Sequence, residues 1–78
     1  MSTVRYFAAA AEAAGREQET VEPASVGELR AALTARHGER LGRVLQRCSV
    51  LVNGLRSEDD TPVPAGDVVD VLPPFAGG

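Results

Sequence analysis

Near the middle of the chain, Ser25-Val26-Gly27-Glu28 carries a capping box, the signal that most restricts what this sequence can fold into. In that pattern the Ser25 hydroxyl accepts a hydrogen bond from the amide three residues on, and Glu28 reaches back. Leu29, Ala32, Leu33 and Arg36 follow at helical spacing, and Gly38 closes the segment after His37. A helix with one apolar stripe has to lay that stripe on another layer. The remainder of the chain offers mostly strand patterns, so the layer available is a sheet.

Thr3 to Ala8 alternates in the strand manner, with Val4, Tyr6 and Ala8 on one face and Thr3, Arg5 and Phe7 on the other. The alanine-rich run from Ala8 to Ala14 favours a short helix stopped by Gly15. Glu17 to Glu22 is polar but β-capable around Thr20 and Val21, and reads as the return strand of a broad hairpin. Leu41, Val44 and Leu45 predict a second, short helical turn before Cys48. Cys48 to Asn53 reads as a strand ending in the turn signal Asn53-Gly54, with Leu55 and Arg56 starting a short returning strand. After a polar loop from Ser57 to Pro64 and a turn at Pro64-Ala65-Gly66-Asp67, Val68 to Leu72 is the last strand. Pro73-Pro74 ends it, because proline has no N–H to give a ladder.

This order specifies an α+β chain of the β-grasp (ubiquitin-like) kind, a mixed sheet with one main helix packed on one face. Its first and last strands lie side by side and parallel, joined by the long crossover through the helix. Val4 and Tyr6, with Val69 and Val71, then pack under Leu29 and Leu33. On the opposite face Arg5 can pair with Asp70, beside Phe7 and Leu72. With 78 residues there is room for one domain, residues 1–72, followed by residues 73–78 as a flexible C-terminal arm.

Composition excludes several functions. The net charge is −3, with eight arginines, no lysine and eleven acidic residues, which argues against nonspecific nucleic-acid binding. The single cysteine leaves no disulfide framework and too few thiols for structural zinc, and favours a reducing compartment. No basic segment followed by an apolar run opens the chain, and no stretch nears the ~20 apolar residues of a membrane span. A soluble, cytoplasmic protein is expected. A radius of gyration of about 11–12 Å leaves little room for a catalytic pocket, so an enzyme with its own deep active site is not.

The chemistry concentrates in Leu72-Pro73-Pro74-Phe75-Ala76-Gly77-Gly78. The prolines favour extended geometry, and six residues from Pro73 to Gly78 reach about 20 Å. Gly77 and Gly78 lack Cβ atoms, fit a narrow channel and leave the terminal carboxylate open. That carboxylate has an ordinary pKa of about 3.3–3.7, so it is ionised at neutral pH and can attack the α-phosphate of ATP. The chain has no phosphate-binding G-x-x-x-x-G-K-[ST] loop, so another protein has to bind the ATP. The missing lysines fit genomic arginine-for-lysine bias, or a chain that benefits from having no amine for an activated carboxylate to acylate.

Phe7, with Leu51, Leu55, Leu72 and Phe75, can build an exposed apolar patch of the kind that marks partner surfaces; the alternative is the apolar area that any small sheet exposes. Cys48 reads as a buried small hydrophobe. His37 suits a helix C-terminus, with no catalytic partner placed by the pattern. Arg36, Arg40, Arg43 and Arg47 read as a solvated helix face. Glu58-Asp59-Asp60 lacks the spacing of a calcium loop and reads as a hydrated turn, with docking to a basic partner as a second reading.

The segments Arg5-Tyr6-Phe7-Ala8-Ala9-Ala10-Ala11-Glu12-Ala13-Ala14-Gly15 and Leu72 to Gly78 resemble the opening and closing motifs of the MoaD/ThiS sulfur-carrier family, on its molybdopterin synthase side. Val52-Asn53-Gly54 and Pro64-Ala65-Gly66-Asp67 also sit where that family has a turn and the lead into its last strand. The resemblance implies a carrier that is not catalytic alone and binds no cofactor or metal. An E1-like adenylyltransferase, which owns the ATP and zinc, activates Gly78, and a sulfur donor protein converts it to a thiocarboxylate. The molybdopterin synthase large subunit then takes the tail, with Gly77 easing its passage and Phe7, Leu55, Leu72, Pro73, Pro74 and Phe75 contacting partners. A carrier for thiamine, cysteine or tRNA thiolation, a ubiquitin-like protein modifier, and an interaction module with an inert tail remain alternatives.

Overall fold

The computed structural model describes residues 1–74. Along the chain run β1 (Ser2–Tyr6), α1 (Ala9–Ala14), β2 (Gln18–Val21), α2 (Val26–His37), α3 (Glu39–Arg47), β3 (Ser49–Val52), β4 (Leu55–Ser57) and β5 (Val68–Leu72). The five strands form one mixed sheet in the order β2-β1-β5-β3-β4. At its centre β1 and β5 are parallel, Val4 opposite Val69 and Arg5 opposite Asp70, while the other pairings are antiparallel. The expected β-grasp arrangement is present.

The core lies between the helices and one face of this sheet. Val4, Tyr6, Val50, Val52, Val69 and Val71 point into it and meet Val26, Leu29 and Leu33 of α2, and Leu41 and Leu45 of α3. Burying each such side chain is worth roughly 1.5–3 kcal/mol. The radius of gyration is 11.2 Å, as the length alone implied.

Local chemistry sets the boundaries of the elements. Ser25 Oγ accepts the Glu28 amide at 3.2 Å, so the cap of α2 forms, although among the described residues no bond returns from the Glu28 side chain. Asn53 and Gly54 both take positive φ, 49° and 82°, the two-residue turn that matches strand twist. Three expectations need correction. The first strand ends at Tyr6, and Ala8 is exposed because its backbone turns sharply out of the strand at φ 50°. The second helical turn is a nine-residue helix, since Gly42 does not break it but provides a close approach to Thr34 of α2. The acidic loop is more than a hydrated turn: the Gly27 amide donates to the Asp59 carbonyl at 2.8 Å, and Asp59 pairs with Arg30 at 2.9 Å.

A buried polar cluster ties the edge of the sheet to the end of α2. Alternation along β2 turns Glu19 inward beside Val21, and its side chain is 3% exposed. Its carboxylate accepts hydrogen bonds from the Tyr6 hydroxyl, from Arg36 at 2.8 Å and from His37 Nε2. Burial alone would raise the Glu19 carboxyl, but these donors outweigh it and hold it at about 2. Burial and the same carboxylate push the Tyr6 hydroxyl well above its ordinary range.

Candidate functional site

The site is the sheet face that no helix among the described residues covers, together with the point where β5 leaves it. All three helices join the core on the inner face. The outer face therefore presents Thr3 and Arg5 of β1, Val68, Asp70 and Leu72 of β5, and Leu51 of β3, none of them buried. Phe7 extends this face: its amide donates to the Val71 carbonyl at 3.2 Å, which keeps it in step with the end of β5, and it is 40% exposed.

Arg5 organises the middle of the face. Its guanidinium meets Asp70 in a two-pronged pair, 2.5 Å and 2.8 Å long, and sits 6.0 Å from the centre of the Phe7 ring. The hydrogen bonds and charge of Asp70 raise the Arg5 guanidinium further above its ordinary value. The expected cross-strand pair is thus present.

Beyond Phe7 the chain reverses tightly into α1. The Ala10 amide donates to the Phe7 carbonyl at 3.0 Å, and Ala8 has φ 50° and ψ −123°. Those values are the first central position of a type II′ turn, where glycine is the ordinary occupant. Holding an alanine there costs of order 1–3 kcal/mol. Nothing in a run of four alanines signals this turn, so composition could not have found it.

Phe7 and Leu72 come together at one end of the open face, and Pro73 and Pro74 follow directly from Leu72. Leu55 does not join them. It pairs with Val52, whose side chain faces the core, so the register puts Leu55 at the rim of the helix side, 73% exposed. Arg56, opposite Leu51, is the β4 residue on the open face. Phe75, Gly77 and Gly78, and with them most of the expected arm, lie outside the described residues.

Other candidates take structural places. Cys48 is buried, donates to the Val44 carbonyl and has its thiol pushed up by burial. His37 joins the Glu19 cluster. Arg36 does too, so it leaves the expected basic face, while Arg40, Arg43 and Arg47 are exposed on α3. A groove open to solvent is lined by Arg30 and Thr34 of α2, Gly42 and Arg43 of α3, and Asp59 of the acidic loop. Among the described residues no group of three His, Cys, Asp or Glu side chains could hold a metal ion, and no helix is long and apolar enough to cross a membrane.

Comparison with known proteins agrees with this geometry. Residues 4–78 match the ThiS family. No curated protein sequence matches significantly. Among solved structures, SAMP1 from Haloferax volcanii is 31% identical, with a TM-score of 0.80 over 99% of this chain and 98% of that one. A chain of the complex of subunits 1 and 2 of molybdopterin-converting factor from Helicobacter pylori 26695 is also 31% identical, with a TM-score of 0.71 over 99% and 97%. A chain of the Amycolatopsis orientalis BexX/CysO complex has a TM-score of 0.81 over 100% of both chains, and at 22% identity it speaks for the fold alone. The match over nearly the whole length, on this sheet and these helices, means that the chain belongs to the ThiS family, the MoaD/ThiS group of sulfur carriers and ubiquitin-like small modifiers.

Proposed function

We propose that this chain carries sulfur on Gly78 as its C-terminal residue and delivers it in molybdopterin synthesis, as the small subunit of the synthase. The observation that supports this most is the exit of β5. The central strand ends in Leu72-Pro73-Pro74 at the edge of an uncovered face that carries Phe7, Leu51 and Leu72, so a docked partner receives whatever follows. The 31% identity to a chain of a complex between two converting-factor subunits points to the same kind of partner.

In the first step the Gly78 carboxylate attacks the α-phosphate of ATP, giving an acyl-adenylate and pyrophosphate. Hydrosulfide from a sulfur donor then adds to the acyl carbon and AMP leaves, giving the thiocarboxylate and one proton. An E1-like enzyme supplies the ATP site and its zinc, and the large subunit supplies the acceptor site, all in the cytoplasm. This chain contributes recognition and the reactive terminus. Co-purification from cells tests the pathway: recovery of a pterin-synthase large subunit supports it, and recovery of a cysteine- or thiazole-forming enzyme instead overturns it.

A second reading is a protein modifier joined to target lysines through Gly78. Equal identity to SAMP1 favours it as much as the subunit match favours the carrier. Both begin with the same adenylate. Deleting Gly77 and Gly78 abolishes either activity, whereas unchanged pathway activity would leave an inert tail.

A further inference from the structure

β2 is an edge strand: β1 pairs with one side of it, and among the described residues no strand pairs with the other. The ladder fixes which of its backbone groups face outward. The Tyr6 amide donates to the Glu17 carbonyl at 2.8 Å, whereas the Thr3 and Phe7 amides donate to Asp67 and Val71 on the β5 side. Bonded and non-bonded pairs alternate in an antiparallel ladder, so Glu17, Glu19 and Val21 direct their backbone groups at β1. Gln18 and Thr20, both exposed, point their N–H and C=O groups away from the sheet. An edge of that kind is a template for another strand.

One side chain interrupts it. Arg36 of α2 donates to the Thr20 carbonyl at 3.3 Å, from the position where a neighbouring strand's amide would sit. The same nitrogen is 2.8 Å from the Glu19 carboxylate, which Tyr6 and His37 hold from the inner side. The guanidinium is therefore fixed at the rim of the sheet. The residues of the edge also select what could pair with it. With two copies of β2 antiparallel about Glu19, Gln18 of each faces Thr20 of the other, and the outward groups match. The same two-fold register sets Arg16 of each copy across from Glu22 of the other, opposite charges at both ends. We propose that the free edge of β2 is a self-pairing site for a second copy of this chain, and that Arg36, anchored on Glu19, keeps it closed. The edge lies on the far side of β1 from β5, so this guard acts apart from the exit of the tail.

Sedimentation equilibrium of the full chain at up to about 1 mM tests this, with Tm read for each variant. The native chain is expected to stay monomeric. Arg36→Ala is expected to dimerise at least about 10-fold more tightly, with amide exchange slowed at Gln18 and Thr20. Arg36→Gln, which keeps a donor for Glu19, takes its place in the same comparison if Arg36→Ala does not fold. Thr20→Pro removes an outward N–H and no ladder bond, so adding it to either variant is expected to restore the monomer without lowering Tm further. A folded Arg36 variant that stays monomeric overturns the guard. Dimers that survive Thr20→Pro form through another surface and overturn the site. A native chain that already dimerises through Gln18 and Thr20 overturns the closed edge.

Discussion

Asp70 holds Arg5 from directly across the central parallel strand pair, through two hydrogen bonds of 2.5 Å and 2.8 Å between residues 65 apart in sequence. The pair is open to water and contributes little to folding. Its effect is on geometry, since the clamped guanidinium lies beside the Phe7 ring. Asp70→Ala is therefore expected to leave Tm nearly unchanged while raising KM for the activating enzyme several-fold. Thermal melts beside pyrophosphate-release kinetics check it, and a large drop in Tm without a change in KM would contradict it.

Glu19 makes stability depend on acid. Its carboxyl is held at about 2 against an ordinary 4.5, so the unfolded chain takes up a proton more readily over that interval. The stabilisation is complete above pH 4.5 and is lost as pH falls toward 2, amounting to roughly 3 kcal/mol across the window. Glu19→Gln should remove most of this slope and, at pH 7, destabilise by about 3 kcal/mol because Arg36 and His37 lose their acceptor charge. Denaturant melts from pH 2 to 7 on both proteins measure it.

Thr34 and Gly42 set the spacing of α2 and α3. A Cβ at position 42 would lie 2.9 Å from Thr34 Cγ2, and the Thr34 hydroxyl is bound to the Arg30 carbonyl at 2.9 Å, which fixes its rotamer. Overpacking of this sort costs about 1–3 kcal/mol, against about 1 kcal/mol gained from helix propensity. Gly42→Ala should destabilise the native protein by about 1 kcal/mol and stabilise the Thr34→Ala variant by a similar amount. A double-mutant cycle in denaturant reads that change of sign.

Much of this architecture is legible in local patterns. The capping box at Ser25, the Asn53-Gly54 turn and the alternation of Val4 with Tyr6 and Val69 with Val71 each act through near neighbours, and together they lead to the parallel pair. The features that escape are those set by distant contacts. Glu19 reads as one more polar residue of an edge strand until α2 brings Arg36 and His37 over it, although its sharing a face with Val21 was a usable sign. Gly42 carries no local sign of its use, because the requirement it meets lies on another helix. Hydrophobicity alone groups Leu55 with Phe7, whereas strand register assigns it to the other side. The turn at Ala8 violates the preference of its own residue type, which no local pattern can announce.

The central claim is that Gly78 carries sulfur, and the most direct measurement is the intact mass of the chain after incubation with its E1-like adenylyltransferase, ATP and sulfide. The account predicts a gain of about 16 Da, one oxygen replaced by sulfur, mapped to Gly78 and absent when Gly77 and Gly78 are deleted. A chain that forms the adenylate yet gains no sulfur, and instead appears in cells only as higher-mass lysine conjugates, would contradict it.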